Sequence, residues 1–267
     1  MKKLGTAALL TVLWSVLMLA TLTTFVPYPY EHHFHQDVNS PILAIELAYA
    51  NSAHHSDVDQ VLNGLPQGQG SYARAVRAVE ANTILDLVFI VIYVWYFLVL
   101  IRATSGNSTF LKAVATMAIL AGLFDYVEDG FIFAVLSGVY MPVVIPSLIK
   151  WSLFAVTLLG IGILLARSSG AVYSLASDRL LGVGHLMAGA LILVGVITGW
   201  HYGYSAIEAG SAIFAITVLW NAVYPITTWF FGLLPGNLVV YVDDFCQRRK
   251  RGEVTGPAVQ RGGNARR

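Results

Sequence analysis

The sequence predicts an all-α, polytopic integral membrane protein with six transmembrane helices and cytoplasmic N- and C-termini. Three observations lead there. Of the 267 residues, 57% are hydrophobic and only 12% are charged, whereas a soluble domain carries about 25% charged residues. Six apolar stretches can each cross a hydrocarbon core of about 30 Å: Leu4–Phe25, Ile84–Ile101, Leu111–Leu136, Leu148–Leu165, Leu180–Trp200 and Ala212–Leu234. Thirteen of the 16 lysines and arginines fall on the N-terminal side of this topology, leaving only Arg74, Arg77 and Lys150 on the other. The positive-inside rule then makes the N-terminal side cytoplasmic.

Lys2 and Lys3 before the first stretch resemble the start of a secretory signal. Its apolar length exceeds a usual signal core, and no A-x-A site follows, so a retained helix is expected. The segment 26–81 is the extracytoplasmic excursion. It holds Pro27, Pro29 and His32-His33-Phe34-His35, then Pro41 opening an apolar helix, Ile42 to Ala48, expected to lie at the membrane surface. Ser56-Asp57-Val58-Asp59 reads as a helix cap, while Asn63-Gly64 and Pro66 to Gly70 read as loop. Ser71 should cap a helix running through Arg74, Arg77 and Glu80 into the second span. The sequon Asn107-Ser108-Thr109 falls on the cytoplasmic side, where it would not be used.

Pro225 predicts a kink or break in the sixth span, which Pro235-Gly236-Asn237 ends. A short amphipathic helix should follow, leading to Arg248-Arg249-Lys250-Arg251, a cluster suited to anionic headgroups. The membrane domain is thus 1–251, and the Gly-rich polar stretch 252–267 is an expected disordered cytoplasmic tail. A net charge of +1 offers nothing to nucleic acid, and the single Cys246 excludes an intrachain disulfide or a CxxC motif. No internal repeat accompanies the third span, so an inverted-repeat transporter has no support.

That third span carries the most telling string, Phe124-Asp125-Tyr126-Val127-Glu128-Asp129-Gly130. Each carboxylate opposes insertion by roughly 2.5–3.5 kcal/mol if charged at a helix centre. Such groups must be paired, protonated, hydrated or bound. On a helix Asp125 faces the same side as Glu128 and Asp129, and Gly122 and Gly130 would let a neighbour approach. Asp86 enters the second span near its outer end, with Tyr93 two turns along the same face. Lys150 opens the fourth span, and Trp151 follows it at interface depth. Asp125 is therefore expected near mid-membrane and Asp86, Glu128, Asp129 and Lys150 in the outer half, positioned to converge on one polar pocket beside Tyr93.

Three uses of such a pocket stay open. It locks helices, as a structural subunit of a membrane complex would. It binds or transports a cation, amine or lipid headgroup. Or it modifies a lipid, with Asp125 or Glu128 as acid and base. Asp125, Glu128 and Asp129 offer oxygen to a hard divalent cation. However, Asp129-Gly130 lacks the Ala-Arg of membrane phosphotransferases, and no second acidic motif supports a prenyltransferase. No cofactor is assigned; a divalent cation stays possible. His185 and His201 stand sixteen residues, about 24 Å, apart on one helix and read as hydrogen-bonded or interfacial. His32, His33, His35, His54 and His55 read as a solvated loop rather than a zinc site. Trp200, Tyr202 and Tyr204 fit an aromatic belt, whereas Trp95 and Tyr96 read as helix packing. No Gly-x-Ser-x-Gly elbow supports serine hydrolysis.

Three strings in this order resemble a family of bacterial multi-pass membrane proteins without an assigned activity. They are Glu46-Leu47-Ala48, Leu85-Asp86 with Phe89-Ile90 and Tyr93, and Ala121-Gly122-Leu123-Phe124-Asp125 with Glu128. Lys150-Trp151 resembles the pair opening a later span of that family, and Asp129 replaces its usual asparagine. The resemblance covers Pro41 to Trp151. It implies a bacterial inner-membrane location and favours Asp86, Asp125, Glu128 and Lys150 as the residues of interest. It brings no substrate. The partners expected of this class are membrane lipids and either a second membrane protein or another copy of the chain.

Overall fold

The computed structural model describes residues 2–25, 41–47, 71–104, 107–168, 170, 172–198 and 203–231. These fold into seven helices: α1 (Lys2–Phe25), α2 (Pro41–Glu46), α3 (Ser71–Ala103), α4 (Ser108–Leu136), α5 (Val144–Arg167), α6 (Leu175–Thr198) and α7 (Gly203–Phe231). All except α2 are long and apolar enough to cross a membrane. No strand occurs among the described residues, as expected where the backbone must satisfy its own hydrogen bonds in lipid.

Local sequence explains several boundaries. Ser71 opens α3, which runs unbroken through Glu80 into the span, as its sequence predicts. Asn107 caps α4, its side-chain oxygen accepting from the Thr109 N–H at 2.8 Å. The sequon residue is thus a helix cap. One boundary matters for the site. The fourth span begins at Val144 rather than Leu148, so Lys150 sits six residues, about 9 Å, inside the helix rather than at its mouth. The last helix carries Pro225 inside it.

Consecutive spans pack side by side, and α1 meets both α3 and α7, closing a ring of six. The ring's interior is aromatic. Phe97, Phe154 and Phe214 from three helices place their centroids 5.2–5.5 Å apart, and Tyr93 adds edge contacts to Phe97 and Phe154. Each such pair contributes about 0.5–1.5 kcal/mol beyond burial. Tyr96 is wholly buried in this core, but Trp95 is 38% exposed on the outer surface, so only one of the two is helix packing. The perimeter is apolar: Leu13, Val91, Ile197 and Ile216 are each more than half exposed, a surface that suits lipid.

Glycine sets the closest approaches. A Cβ on Gly122 would meet Val94 Cγ2 at 2.7 Å, letting α4 press onto α3. Gly130 faces open space, so the expected close contact there does not occur. The α5–α6 loop is tied by Asp178, wholly buried. It accepts hydrogen bonds from Ser168 Oγ and from the backbone N–H groups of Val172 and Tyr173. Tyr173 in turn donates to Asn221, whose amide donates to Tyr96, joining that loop to α7 and α3.

Helix α2 does not lie on the surface. Leu43, Ala44, Ile45, Glu46 and Leu47 are all buried. Its apolar side chains pack with Ala78, Val79, Ile132, Val135 and Val143, near one end of α3, α4 and α5. The protein ring offers this short apolar helix a better-packed face than a membrane interface does. His32, His33, His35, His54, His55, His201, Trp200, Tyr202, Cys246 and Arg248 to Arg251 lie outside the described residues. So do the caps and loops of 51–70, the terminator Pro235 to Asn237 and the tail 252–267, while the Tyr204 side chain is likewise not described.

Candidate functional site

Lys150 stands at the centre of the acidic cluster. Its Nζ lies 3.1 Å from Glu46 Oε1, 3.1 Å from Asp125 Oδ1 and 2.5 Å from Glu128 Oε2. An ammonium has three N–H donors and no acceptor, so three carboxylates match its capacity. Each then gives its second oxygen to a neutral donor. Trp151 Nε1 donates to Glu46 Oε2 at 2.9 Å, Tyr93 Oη to Asp125 Oδ2 at 2.8 Å, and Ser147 Oγ to Glu128 Oε1 at 2.6 Å. Burial of all four charged side chains is nearly complete, with none more than 8% exposed.

The helices explain this geometry. Asp125 and Glu128 share a face of α4 by their spacing of three, and Ser147 and Lys150 repeat that spacing on α5. Gly122, one turn from Asp125, brings α3 close enough for Tyr93 to reach the carboxylate. Glu46 arrives from α2, outside the spans. Its burial holds the carboxyl above the usual carboxylate range, a pull that the adjacent Lys150 ammonium only partly opposes. Glu46 of the Glu46-Leu47-Ala48 string is thus a direct partner of Lys150, a role that its charge alone does not announce.

Asp86 and Asp129 join the neighbourhood but not the pairing. Among the described residues neither has an ion pair or side-chain hydrogen bond, although Asp86 lies within electrostatic reach of Asp125, Asp129 and Lys150. Asp129 is 2% exposed, and its Oδ2 is buried without a hydrogen-bond partner. The Oδ1 of Asn82, also 2% exposed and one turn from Asp86 on α3, is likewise without one. An unsatisfied buried polar group costs about 1–3 kcal/mol. Asp129→Leu, which removes the polar group, is therefore expected to raise the melting temperature by about 2–6 °C, measured by thermal unfolding in detergent; a fall would mean that the Asp129 carboxyl has a partner.

A cavity of about 480 Å³ opens beside the cluster. Glu46, Asp86, Asp125 and Lys150 line one part of it with Tyr93 and Trp151; α1 and α7 supply most of the remaining wall. Glu128 and Asp129 do not line it. The acidic string thus divides. Asp125 faces the cavity, whereas Glu128, with Ser147 and Lys150, ties α4 to α5.

Among the described residues no three His, Cys, Asp or Glu side chains are grouped to hold a metal ion. The space between Asp125 and Glu128 is taken by Lys150 Nζ. His185 is wholly buried with Nδ1 at 2.8 Å from the Leu181 carbonyl; it is hydrogen-bonded within its own helix turn and stands edge-on behind Phe214, without itself lining the cavity.

Fold and site together define a polytopic α-helical membrane protein with a lysine-centred carboxylate cluster beside an internal cavity. No family model matches the chain, and neither a curated protein nor a solved structure matches it.

Proposed function

We propose that the chain is a non-enzymatic membrane binding protein that takes up an organic ammonium group at the acidic part of its cavity. One observation carries this reading. Glu46, Asp86 and Asp125 all line the cavity, while the single Lys150 beside them is already shared with Glu128. A second cation there would relieve carboxylates that Lys150 leaves in excess. Phe89, Tyr93, Trp151 and Phe154 line the same cavity, and aromatic faces attract ammonium groups by about 0.5–2 kcal/mol. The bias of lysine and arginine supports an orientation with the Lys150 end of the fourth span toward the extracytoplasmic side, and carriage across the membrane is one use of such a site.

The lock reading applies to one half of the cluster. Glu128 and Ser147 do not line the cavity, and with the Lys150 ammonium they form a buried contact assigned to architecture. Tetramethylammonium chloride, set against sodium chloride at equal ionic strength, should raise the melting temperature of the purified protein by about 3 °C. Asp86→Asn should lose that response while keeping the unliganded melting temperature. Equal stabilisation by both salts, or a response untouched in Asp86→Asn, would refute the reading.

A further inference from the structure

We infer that the ammonium is carried on a single hydrocarbon chain and reaches the site from the lipid phase, between α1 and α7. This rests on the ammonium reading above and adds a tail and a route. The cavity is amphipathic along its length. Its charged part is built by α2, α3, α4 and α5, and the remainder by Val12, Val16 and Met18 of α1 with Ile216, Val218 and Leu219 of α7.

Three of those wall residues also belong to the outer surface of the ring: Val16 is 59%, Ile216 66% and Leu219 47% exposed. The same side chains therefore face both the cavity and the perimeter, which places the cavity's edge at the lipid boundary. The α1–α7 contact explains the gap. Gly5 packs directly on the Pro225 ring, where an added Cβ would meet Cγ at 3.0 Å. Running antiparallel from that contact, the register brings Ser15 opposite Ala215, two small residues that both line the cavity. The hydroxyls on the α1 wall are turned back on their own helix, Thr11 to the Ala7 carbonyl and Ser15 to the Thr11 carbonyl. They present little polarity to a passing chain.

A free inorganic ion would gain nothing from such walls. An amphiphile would gain at both ends, with its ammonium on Glu46, Asp86 and Asp125 and its chain in the slot or in lipid beyond it. The bound headgroup would also meet Ser211 Oγ, which is buried without a hydrogen-bond partner and lines the same cavity.

Filling the slot tests the route separately from the headgroup. Dodecyltrimethylammonium and tetramethylammonium are compared on the purified full chain in a nonionic maltoside, with dodecyl sulfate as the charge control. In the native protein the long-chain ammonium should act at a concentration at least about tenfold lower than the short one. Ala215→Trp, at an exposed position on the cavity's edge, should abolish that advantage and leave the tetramethylammonium response intact. Ser15→Trp, on the opposite wall, should do the same and guards against a local fault in α7. An advantage unchanged in both variants overturns the lateral route while sparing the headgroup reading. The same advantage for dodecyl sulfate overturns it too, because the chain alone would then be bound as surface lipid. Absence of any tetramethylammonium response in the native protein overturns the headgroup reading and this inference with it.

Discussion

Lys150→Met is expected to cost about 3–5 kcal/mol, the range for removing one partner from a buried ion pair, and to abolish recovery of folded protein. Three carboxylates would each lose a direct ionic partner, and methionine offers none of them a donor. Arginine would not restore the arrangement, because its planar fork cannot point separate donors at three converging acids as an ammonium does. Monodisperse yield in gel filtration and the melting temperature measure the effect. Combining Lys150→Met with Glu46→Gln, Asp125→Asn and Glu128→Gln should recover much of the loss, since no unpaired charge then remains. If the single variant alone folds normally, the carboxylates were not charged, and the pairing scheme fails.

The second large effect is expected at Gly182. A Cβ there would lie 2.9 Å from both the Ala166 nitrogen and the Gly162 carbonyl oxygen, and both atoms are backbone. No side chain can turn aside, so α5 and α6 must separate. Overpacking costs about 1–3 kcal/mol, and Gly182→Ala should reach the upper end, lowering the melting temperature by about 6–12 °C. Gly130→Ala is the matched control: its Cβ meets nothing within 4 Å, and alanine is the better helix former by about 1 kcal/mol. It should be neutral or mildly stabilising. Equal losses in the two variants would mean that helix packing is not what Gly182 serves.

Much of this architecture is legible in the amino-acid sequence. Span number follows from hydropathy because lipid imposes a minimum length on every crossing. Asp86, Tyr93, Asp125, Glu128 and Lys150 can be gathered because helical spacing and depth are enough to bring them together. Three things were not legible. The burial of α2 depends on a groove made by α3, α4 and α5, which no local pattern in Pro41 to Glu46 announces. Glu46 stands in a segment whose sequence suits the membrane surface, yet it is a direct partner of Lys150. The split between Asp125 and Glu128 is equally invisible, because residues three apart share a face and only the neighbours decide which one meets the cavity. Asp178 had no apolar contrast to mark it, and its role depends on a loop folding back over it.

The ring closure through α1 and α7 bears on how the protein is made. Synthesis delivers the first span well before the last, yet the cavity wall needs both. Helix α4 leaves the ribosome with Asp125, Glu128 and Asp129 before Lys150 of α5 exists to neutralise them. An intermediate stalled at that point would hold three acids in an incomplete bundle, and the pair α4–α5 is the smallest unit in which two of them find their counterion. The insertion machinery must therefore tolerate or shelter α4 alone, and the cavity comes into being only when α7 docks against a helix made some 200 residues earlier.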